Sequence, residues 1–248
     1  MLQETQRERF DVVLVRPRNP LNIGAAARAM ANFGFSRLSV VAPFEATWRE
    51  ARSAVDSQDV LLNAREAATV GEAVKGATLV AGTGSLTYRK PEQRVVRLAE
   101  LPELVSRELG RGGRVALVFG PEKHGLTRDD LSWCHMLVEI PTDARQPSMN
   151  LGQAVAVCLY ELAARADAAE VVSGPAPVES GRLELLAGMV EEAMEAAGYR
   201  AGAMREGERR ELRLMLRRMT LTAHDTRRIM GIFRRILWRL RQGPGAGR

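Results

Sequence analysis

Along the first two thirds of the chain, short β-branched apolar runs alternate with longer segments whose apolar positions recur every three to four residues. The runs VVLV at 12 to 15, VALVF at 115 to 119 and LVEI at 137 to 140 have the length and composition of strands. Strands are predicted at 11 to 15, 38 to 42, 78 to 81, 115 to 119 and 137 to 140. Helical spacing predicts a helix from 22, a helical stretch near 57 to 75, a helix near 98 to 109 and one from about 150 to 166. This alternation argues for an α/β fold, a parallel sheet with helices on both faces. Residues 167 to 180, DAAEVVSGPAPVES, combine small residues with two prolines and a glycine and read as a linker. Beyond it, 182 to 198 and 205 to 241 are again helical in period, with Ile229, Ile232, Phe233, Ile236, Leu237 and Leu240 assigned to one face. The expected organisation is a first domain at 1 to 166, a linker at 167 to 180, a small all-helical domain at 181 to 242 and a disordered tail at 243 to 248.

Composition adds limits. With 248 residues, 46% apolar and 27% charged, the chain suits one large domain plus a small one. No apolar stretch has the eighteen or so residues of a membrane span, and the N-terminus lacks the apolar core of a signal peptide, so no membrane partner is expected. Cys134 and Cys158, one in a Cys-His dipeptide and one in an apolar helix, form neither a disulfide framework nor a zinc site. A cytoplasmic protein without a metal is the expectation. Charge is uneven: residues 205 to 248 hold 13 Arg against 4 Asp plus Glu, a net +9 in a chain of net +6, which leaves −3 for residues 1 to 204. Such a concentration is the footprint of phosphate-backbone binding, although a solvated arginine face or a membrane-surface helix has the same composition.

Three glycine- and amide-rich loops follow predicted strands, at NPLNIGAAARAMANFG (19 to 34), LVFGPEKHGLT (117 to 127) and IPTDARQPSMNLGQAVA (140 to 156). Open α/β sheets bind ligands there, beyond the carboxyl ends of the strands. In the first, Arg16 and Arg18 adjoin prolines, and Asn22 is expected to cap a helix whose N-terminus favours phosphate. Arg28 lies about a turn and a half further on, among alanines that permit close helix packing. In the second, Gly120 and Gly125 allow close backbone approach, and Glu122 between them can orient an arginine or accept a hydrogen bond from a ligand. In the third, Ser148 and Asn150 straddle a helix start, where polar groups are often only caps. The strand at 78 to 81 ends in Gly82, Thr83, Gly84 and Ser85, and Tyr88, Arg89, Lys90 and Arg94 follow, suited to stacking on and neutralising RNA. No G-x-G-x-x-G follows the first strand and no G-x-x-x-x-G-K-[ST] occurs, so a cofactor would be held without either dinucleotide or nucleotide fingerprint.

Asn22, Gly24 and Arg28 as N-x-G-x-x-x-R, Phe119, Gly120, Glu122, Gly125 and Leu126 as F-G-x-E-x-x-G-L, and Pro147 to Leu151 as P-S-M-N-L resemble, in order and spacing, three motifs of the SPOUT superfamily of RNA methyltransferases. Within it, they are most similar to the TrmH-like 2′-O-ribose methyltransferases, over roughly residues 10 to 166. The resemblance implies a C-terminal trefoil knot in the sheet, a rare exception to unknotted topology. It implies S-adenosyl-L-methionine as cofactor and S-adenosyl-L-homocysteine as product, with Thr83, Gly84, Ser85, Gly120, Ile140, Pro147, Ser148, Met149 and Leu151 at the cofactor pocket. A homodimer with the site across its two-fold is also implied. Met149 stands where leucine is usual, a change that conserves volume. Arg28 matches the family's candidate base, but a guanidinium does not give up its proton in a protein. Its expected role is to hold an RNA phosphate and stabilise charge developing on the 2′-oxygen, with Asn22, Ser148, Asn150 and Glu122 completing the catalytic set.

The C-terminal segment resembles the extension of TrmJ-type tRNA methyltransferases, which modify nucleotide 32 of the anticodon loop. The implied partner is tRNA, contacted by Arg16, Arg18, Tyr88, Arg89, Lys90, Arg217, Arg218, Arg227, Arg228, Arg234 and Arg235. An rRNA 2′-O-ribose methyltransferase of the same fold and a non-catalytic RNA-binding relative are the alternatives. Arg28, Ser148 and Asn150, all intact, argue against the second.

Overall fold

The computed structural model describes residues 2–44, 46, 48–51, 54, 56–84, 91–166, 174–199 and 204–242. Its centre is a wholly parallel seven-stranded sheet of β1 (Phe10–Val15), β2 (Arg37–Val41), β3 (Arg65–Ala67), β4 (Leu79–Thr83), β5 (Arg94–Arg97), β6 (Val115–Phe119) and β7 (Met136–Glu139). The order is β3-β2-β1-β6-β4-β7-β5, so β6 lies between β1 and β4, and β7 between β4 and β5. The helices are α1 (Glu4–Arg7), α2 (Pro20–Asn32), α3 (Gln58–Leu62), α4 (Val70–Ala73), α5 (Leu101–Gly110), α6 (Arg128–Ser132), α7 (Leu151–Arg165), α8 (Ser180–Ala196), α9 (Glu206–Arg218) and α10 (Ala223–Arg241).

Side chains of a strand alternate between faces, and here both faces are covered. Val12 and Leu14, with Leu117 and Phe119, form one core with α2, α5 and α7. Val13 and Val15, with Val118 and Leu137, form the other with α4, Leu131 and Trp133. Leu14 is 0% exposed, and truncating such a residue to alanine costs about 2–5 kcal/mol. On the first face α2 lies tightly on α7, since a Cβ on Gly152 would stand 2.6 Å from the Cβ of Ala25.

Three expectations need correction. The helical stretch near 57 to 75 is broken into α3, β3 and α4, with Thr69 capping α4 through the Glu72 N–H. The edge strands β3 (REA) and β5 (RVVR) escape a search for apolar runs because edges carry charge, which discourages pairing with another chain. The stretch 205 to 241 is two helices, interrupted where Thr220 takes φ 46° and Thr222 caps α10. On α10, Ile229, Phe233 and Leu237 of the expected apolar face turn inward together with Thr226 and Met230, while Ile232 and Ile236 of that face are 57% and 40% exposed.

Helices α8, α9 and α10 pack around Leu186, Ala187, Leu216 and Met230. They are also tied to the sheet layers. The Ser180 and Gly181 N–H groups donate to the carbonyls of Ala77 (2.8 Å) and Lys75 (2.9 Å), and Pro177 bridges to Thr222. Of the segment expected to be a linker, 167 to 173 lie outside the described residues, and 174 to 180 run into these contacts. The expected tail at 243 to 248 also lies outside the described residues.

Two arginines of α9 complete the joint. Arg213, 5% exposed, donates to Asp129 (3.2 Å), Ser132 (2.8 Å) and Glu184 (3.2 and 3.3 Å), with its guanidinium 4.0 Å from the centre of the Trp133 ring. Arg217, expected to face RNA, is 2% exposed. It donates to the carbonyls of Trp133 (3.2 Å) and Arg213 (3.2 Å) and to the Ser180 hydroxyl (2.8 Å). Burial lowers its pKa to about 10, which leaves it charged at neutral pH. No helix among the described residues is long and apolar enough to cross a membrane.

Candidate active site

The loops after β1, β6 and β7 meet at one end of the sheet. Asn19, not Asn22, caps α2: its Oδ1 accepts the Leu21 N–H at 2.9 Å, and Pro20 takes the first helical position, where its missing N–H costs nothing. Asn22 is thereby released. At the start of α7, Asn150 Oδ1 accepts the N–H groups of Gly152 (2.9 Å) and Gln153 (3.3 Å), so its amide nitrogen must point outward. That nitrogen donates to Asn22 Oδ1 at 2.9 Å, which in turn leaves Asn22 Nδ2 to donate to Glu122 at 2.7 Å. Donor and acceptor are fixed at every step from α7 to Glu122. The three loops are therefore joined through Glu122, Asn22 and Asn150.

Glu122 also accepts the N–H groups of Arg18 (3.2 Å) and Asn19 (3.4 Å). Partial burial pushes its pKa up, but the hydrogen bonds from the Asn22 side chain and from the backbone outweigh this and hold it below the ordinary carboxylate value. A carboxylate so held is a weak base. Its place is to fix the first loop against the second, and the group it orients is Asn22 rather than an arginine.

Beside this chain of bonds lies a cavity of about 250 Å³. Thr83, Gly84, Gly120, Ile140, Pro147, Ser148, Met149 and Leu151, the expected cofactor positions, all line it; Ser85 lies outside the described residues. Phe119, Thr142 and Ala154 line it too and were not among the expected cofactor positions. Apolar Phe119, Ile140, Met149 and Leu151 beside the hydroxyl-bearing Thr83, Thr142 and Ser148 suit a flat heterocycle with polar attachments, so the lining fits the expected cofactor. Gly120 has a tighter reason to be glycine than ligand approach. A Cβ there would stand 2.3 Å from the Leu126 nitrogen and 2.4 Å from the Gly125 carbonyl carbon, because the loop folds back over it through Gly125 at φ 62°.

Not every expected site residue reaches the cavity. Arg28 is exposed on α2, is not among the lining residues and has no hydrogen bond or ion pair to the described residues. Ser148 is exposed at the rim. Arg18 is exposed, with its guanidinium 5.3 Å from the Phe44 ring centre. Arg16 turns away from the loop to pair with Asp130. Tyr88, Arg89 and Lys90 lie outside the described residues, and Arg94 is near Glu100 at 3.7 Å. Arg218 pairs with Glu92 at 3.2 Å, while Arg227, Arg228, Arg234 and Arg235 are exposed on α10. Asp130 went unnoticed in the sequence, although Thr127 and Asp130 have capping-box spacing that marks a helix start.

Residues 9–160 match the model of the SpoU rRNA methylase family. The chain is 32% identical over 243 residues to the tRNA (cytidine/uridine-2′-O-)-methyltransferase TrmJ of Citrobacter koseri, covering 93% of this chain and 96% of that one. It is 40% identical over 156 residues to the tRNA (cytidine/uridine/adenosine-2′-O-)-methyltransferase TrmJ of Pseudomonas aeruginosa, covering 62% of this chain and 60% of that one. Across the first curated relatives it matches, the aligned chain spans 60 to 66% of their length. Among solved structures, TrmJ from Z. mobilis ZM4 superposes with a TM-score of 0.78 at 29% identity, covering 91% of this chain and 98% of that one.

Proposed function

We propose that this chain, which belongs to the SpoU rRNA methylase family, is an S-adenosylmethionine-dependent tRNA methyltransferase that methylates the ribose 2′-hydroxyl of nucleotide 32 in the anticodon loop. The observation that carries the reading is the joining of three motif loops through Glu122, Asn22 and Asn150 beside one cavity. The choice of tRNA over rRNA is supported by the Citrobacter koseri TrmJ, whose similarity runs on through the helices after residue 180. The late strands inserted between earlier ones support a sheet threaded as a trefoil knot. A cytoplasmic enzyme is part of this reading, in keeping with a tRNA substrate.

When bound, the cofactor supplies a sulfonium methyl group that needs little activation. The chain's task is to bring a ribose hydroxyl into line and to stabilise the oxygen as it loses its proton. Ser148 at the cavity rim and the amides of Asn22 and Asn150 behind it supply the hydrogen-bonding groups. Arg28 supplies the positive charge. Its exposed place on α2, away from the lining of its own cavity, supports a homodimer in which a second copy brings this arginine to the site. Leu21, Val157 and Tyr160, exposed on α2 and α7, supply apolar surface for that contact. Charge on α10 holds the tRNA backbone.

The test is incubation of the purified protein with labelled cofactor and separate tRNA and rRNA pools, followed by mass spectrometric mapping of ribose methylation. Methylation at nucleotide 32 of tRNA is expected. Methylation confined to rRNA, or none with either pool, overturns the reading.

A further inference from the structure

We infer that Arg16 and Asp130 are a positioning pair that fixes where the first loop leaves the sheet, and hence where Asn22 stands in the site; this rests on the methyltransferase reading above. Arg16 is the first residue after β1 and has φ 45°, a left-handed conformation disfavoured for a residue with a side chain. Strain of this kind persists only where surrounding contacts over-determine it. Two do so here. The Arg16 N–H donates to the Val41 carbonyl at 2.8 Å, which continues the sheet ladder one residue past the strand. Its guanidinium grips Asp130 in a two-pronged pair, Nη1 to Oδ1 at 3.1 Å and Nη2 to Oδ2.

Asp130 is built to receive it. The residue is 3% exposed, and its Oδ2 also accepts the N–H and the hydroxyl of Thr127, both at 2.7 Å. The short helix α6 that carries it is anchored from the opposite side, where Arg213 holds Asp129 and Ser132. Asp130 is therefore a fixed point and Arg16 the group that docks on it. Two residues beyond Arg16 the chain meets its second carboxylate, Glu122, through the N–H groups of Arg18 and Asn19. The first loop is thus clamped at both ends by carboxylates, one from the second motif and one from the helix α6 that follows it, and Asn22 follows directly. Loss of the first clamp lets the loop relax toward ordinary dihedrals and moves Asn22 off Asn150. An arginine paired in this way does not serve as a phosphate contact.

The test uses the full chain carrying Arg16→Ala, Arg16→Lys, Asp130→Asn or both Arg16→Ala and Asp130→Asn. Asp130→Asn keeps an acceptor for the Thr127 N–H, so the start of α6 is retained. Measured together are kcat and KM for tRNA, S-adenosylhomocysteine affinity by calorimetry, and amide hydrogen exchange across residues 17 to 24. Each alanine or asparagine change should lower kcat about ten- to a hundredfold, the scale of a small misplacement. The double variant should be no worse than the poorer single one. Cofactor affinity should stay within about twofold, and exchange across 17 to 24 should quicken. Lysine, charged but unable to form the two-pronged pair, should recover part of the rate. A raised KM with intact kcat for Arg16→Ala, together with normal or tighter tRNA binding by Asp130→Asn, would make Arg16 an RNA contact and overturn the proposal. Additive losses, or unchanged exchange across the loop, overturn it equally. If the unaltered protein transfers no methyl group, the activity reading fails, and the exchange measurement still decides the pair.

Discussion

Replacing Arg217 by alanine separates a structural arginine from an RNA-binding one. The guanidinium is buried and makes three hydrogen bonds from a charged donor to neutral acceptors, each worth about 1.5–3 kcal/mol net. Its removal leaves the hydroxyl of Ser180, itself 0% exposed, without its donor, and vacates space beside Trp133. Relief of a desolvated cation offsets part of this, since a buried charge costs several kcal/mol before its partners are counted. The balance is a loss of roughly 2–4 kcal/mol. At about 2–4 °C per kcal/mol for a chain of this size, the Tm should fall by roughly 5–15 °C. Arg217→Met, which retains most of the volume, should lose less. At temperatures where each variant is folded, tRNA affinity and its salt dependence should match the unaltered protein. The assays are thermal unfolding followed by tryptophan fluorescence, and tRNA titration at several salt concentrations. An unchanged Tm with weaker tRNA binding and a shallower salt slope would refute the reasoning and return Arg217 to the RNA face.

Arg28→Ala should leave cofactor affinity near that of the parent while methyl transfer falls by about a hundredfold or more, the scale of losing one charge-stabilising group; equal loss in calorimetry and turnover contradicts the assignment. Glu122→Gln should lower kcat at least about tenfold, and in the unaltered protein the link to Asn22 should hold at neutral pH and fail only as pH drops below the ordinary carboxylate value of 4.5, because the folded pKa lies lower still. His135 is held neutral by burial and by nearby Arg217, with its pKa lowered from 6.5 to about 3. The folded state refuses a proton that the unfolded chain accepts. Its stabilising contribution is therefore full above pH 6.5 and falls as pH drops toward 3, by about 2 kcal/mol at pH 5; denaturant titrations at pH 5 and 8 should show this difference shrinking in His135→Asn. Neutralising Arg234 and Arg235 together should flatten the slope of log tRNA affinity against log salt by about 1.5, at about 0.7–0.9 per lost phosphate contact, and an unchanged slope would make that face solvated surface.

The interior of the sheet was legible because VVLV and VALVF are buried on both faces and cannot be polar. β3 and β5 were not, because an edge strand needs few apolar residues and carries arginines to discourage further pairing. The loops of the site could be located, since glycine and amide clusters after strands mark ligand-binding ends. The bonds within them were not readable. Which asparagine caps α2 depends on where Pro20 starts the helix, and that choice decides whether Asn22 is spent on a cap or free to meet Asn150. Counting arginines measured charge correctly and burial not at all. Arg213 and Arg217 sit one turn apart on α9 facing Trp133, a partner 80 and 84 positions away in the chain, and no local pattern announces such a pairing.

The placement of β6 between β1 and β4 bears on how the chain folds as it is made. β1 has β2 as an early neighbour, but its other edge and both edges of β4 wait for strands that come later. At about 5–20 residues per second, a nascent chain that has just completed β4 must wait a few seconds before Phe119 is synthesised, and longer before β7 can follow. During that interval its most apolar strands have unpaired edges, the condition under which neighbouring nascent chains associate. Chains released before residue 119 should aggregate rather than form a smaller sheet, whereas chains reaching the end of α7 should have every strand in place. The order of synthesis thus makes the two flanks of β4 the last parts of this sheet to close.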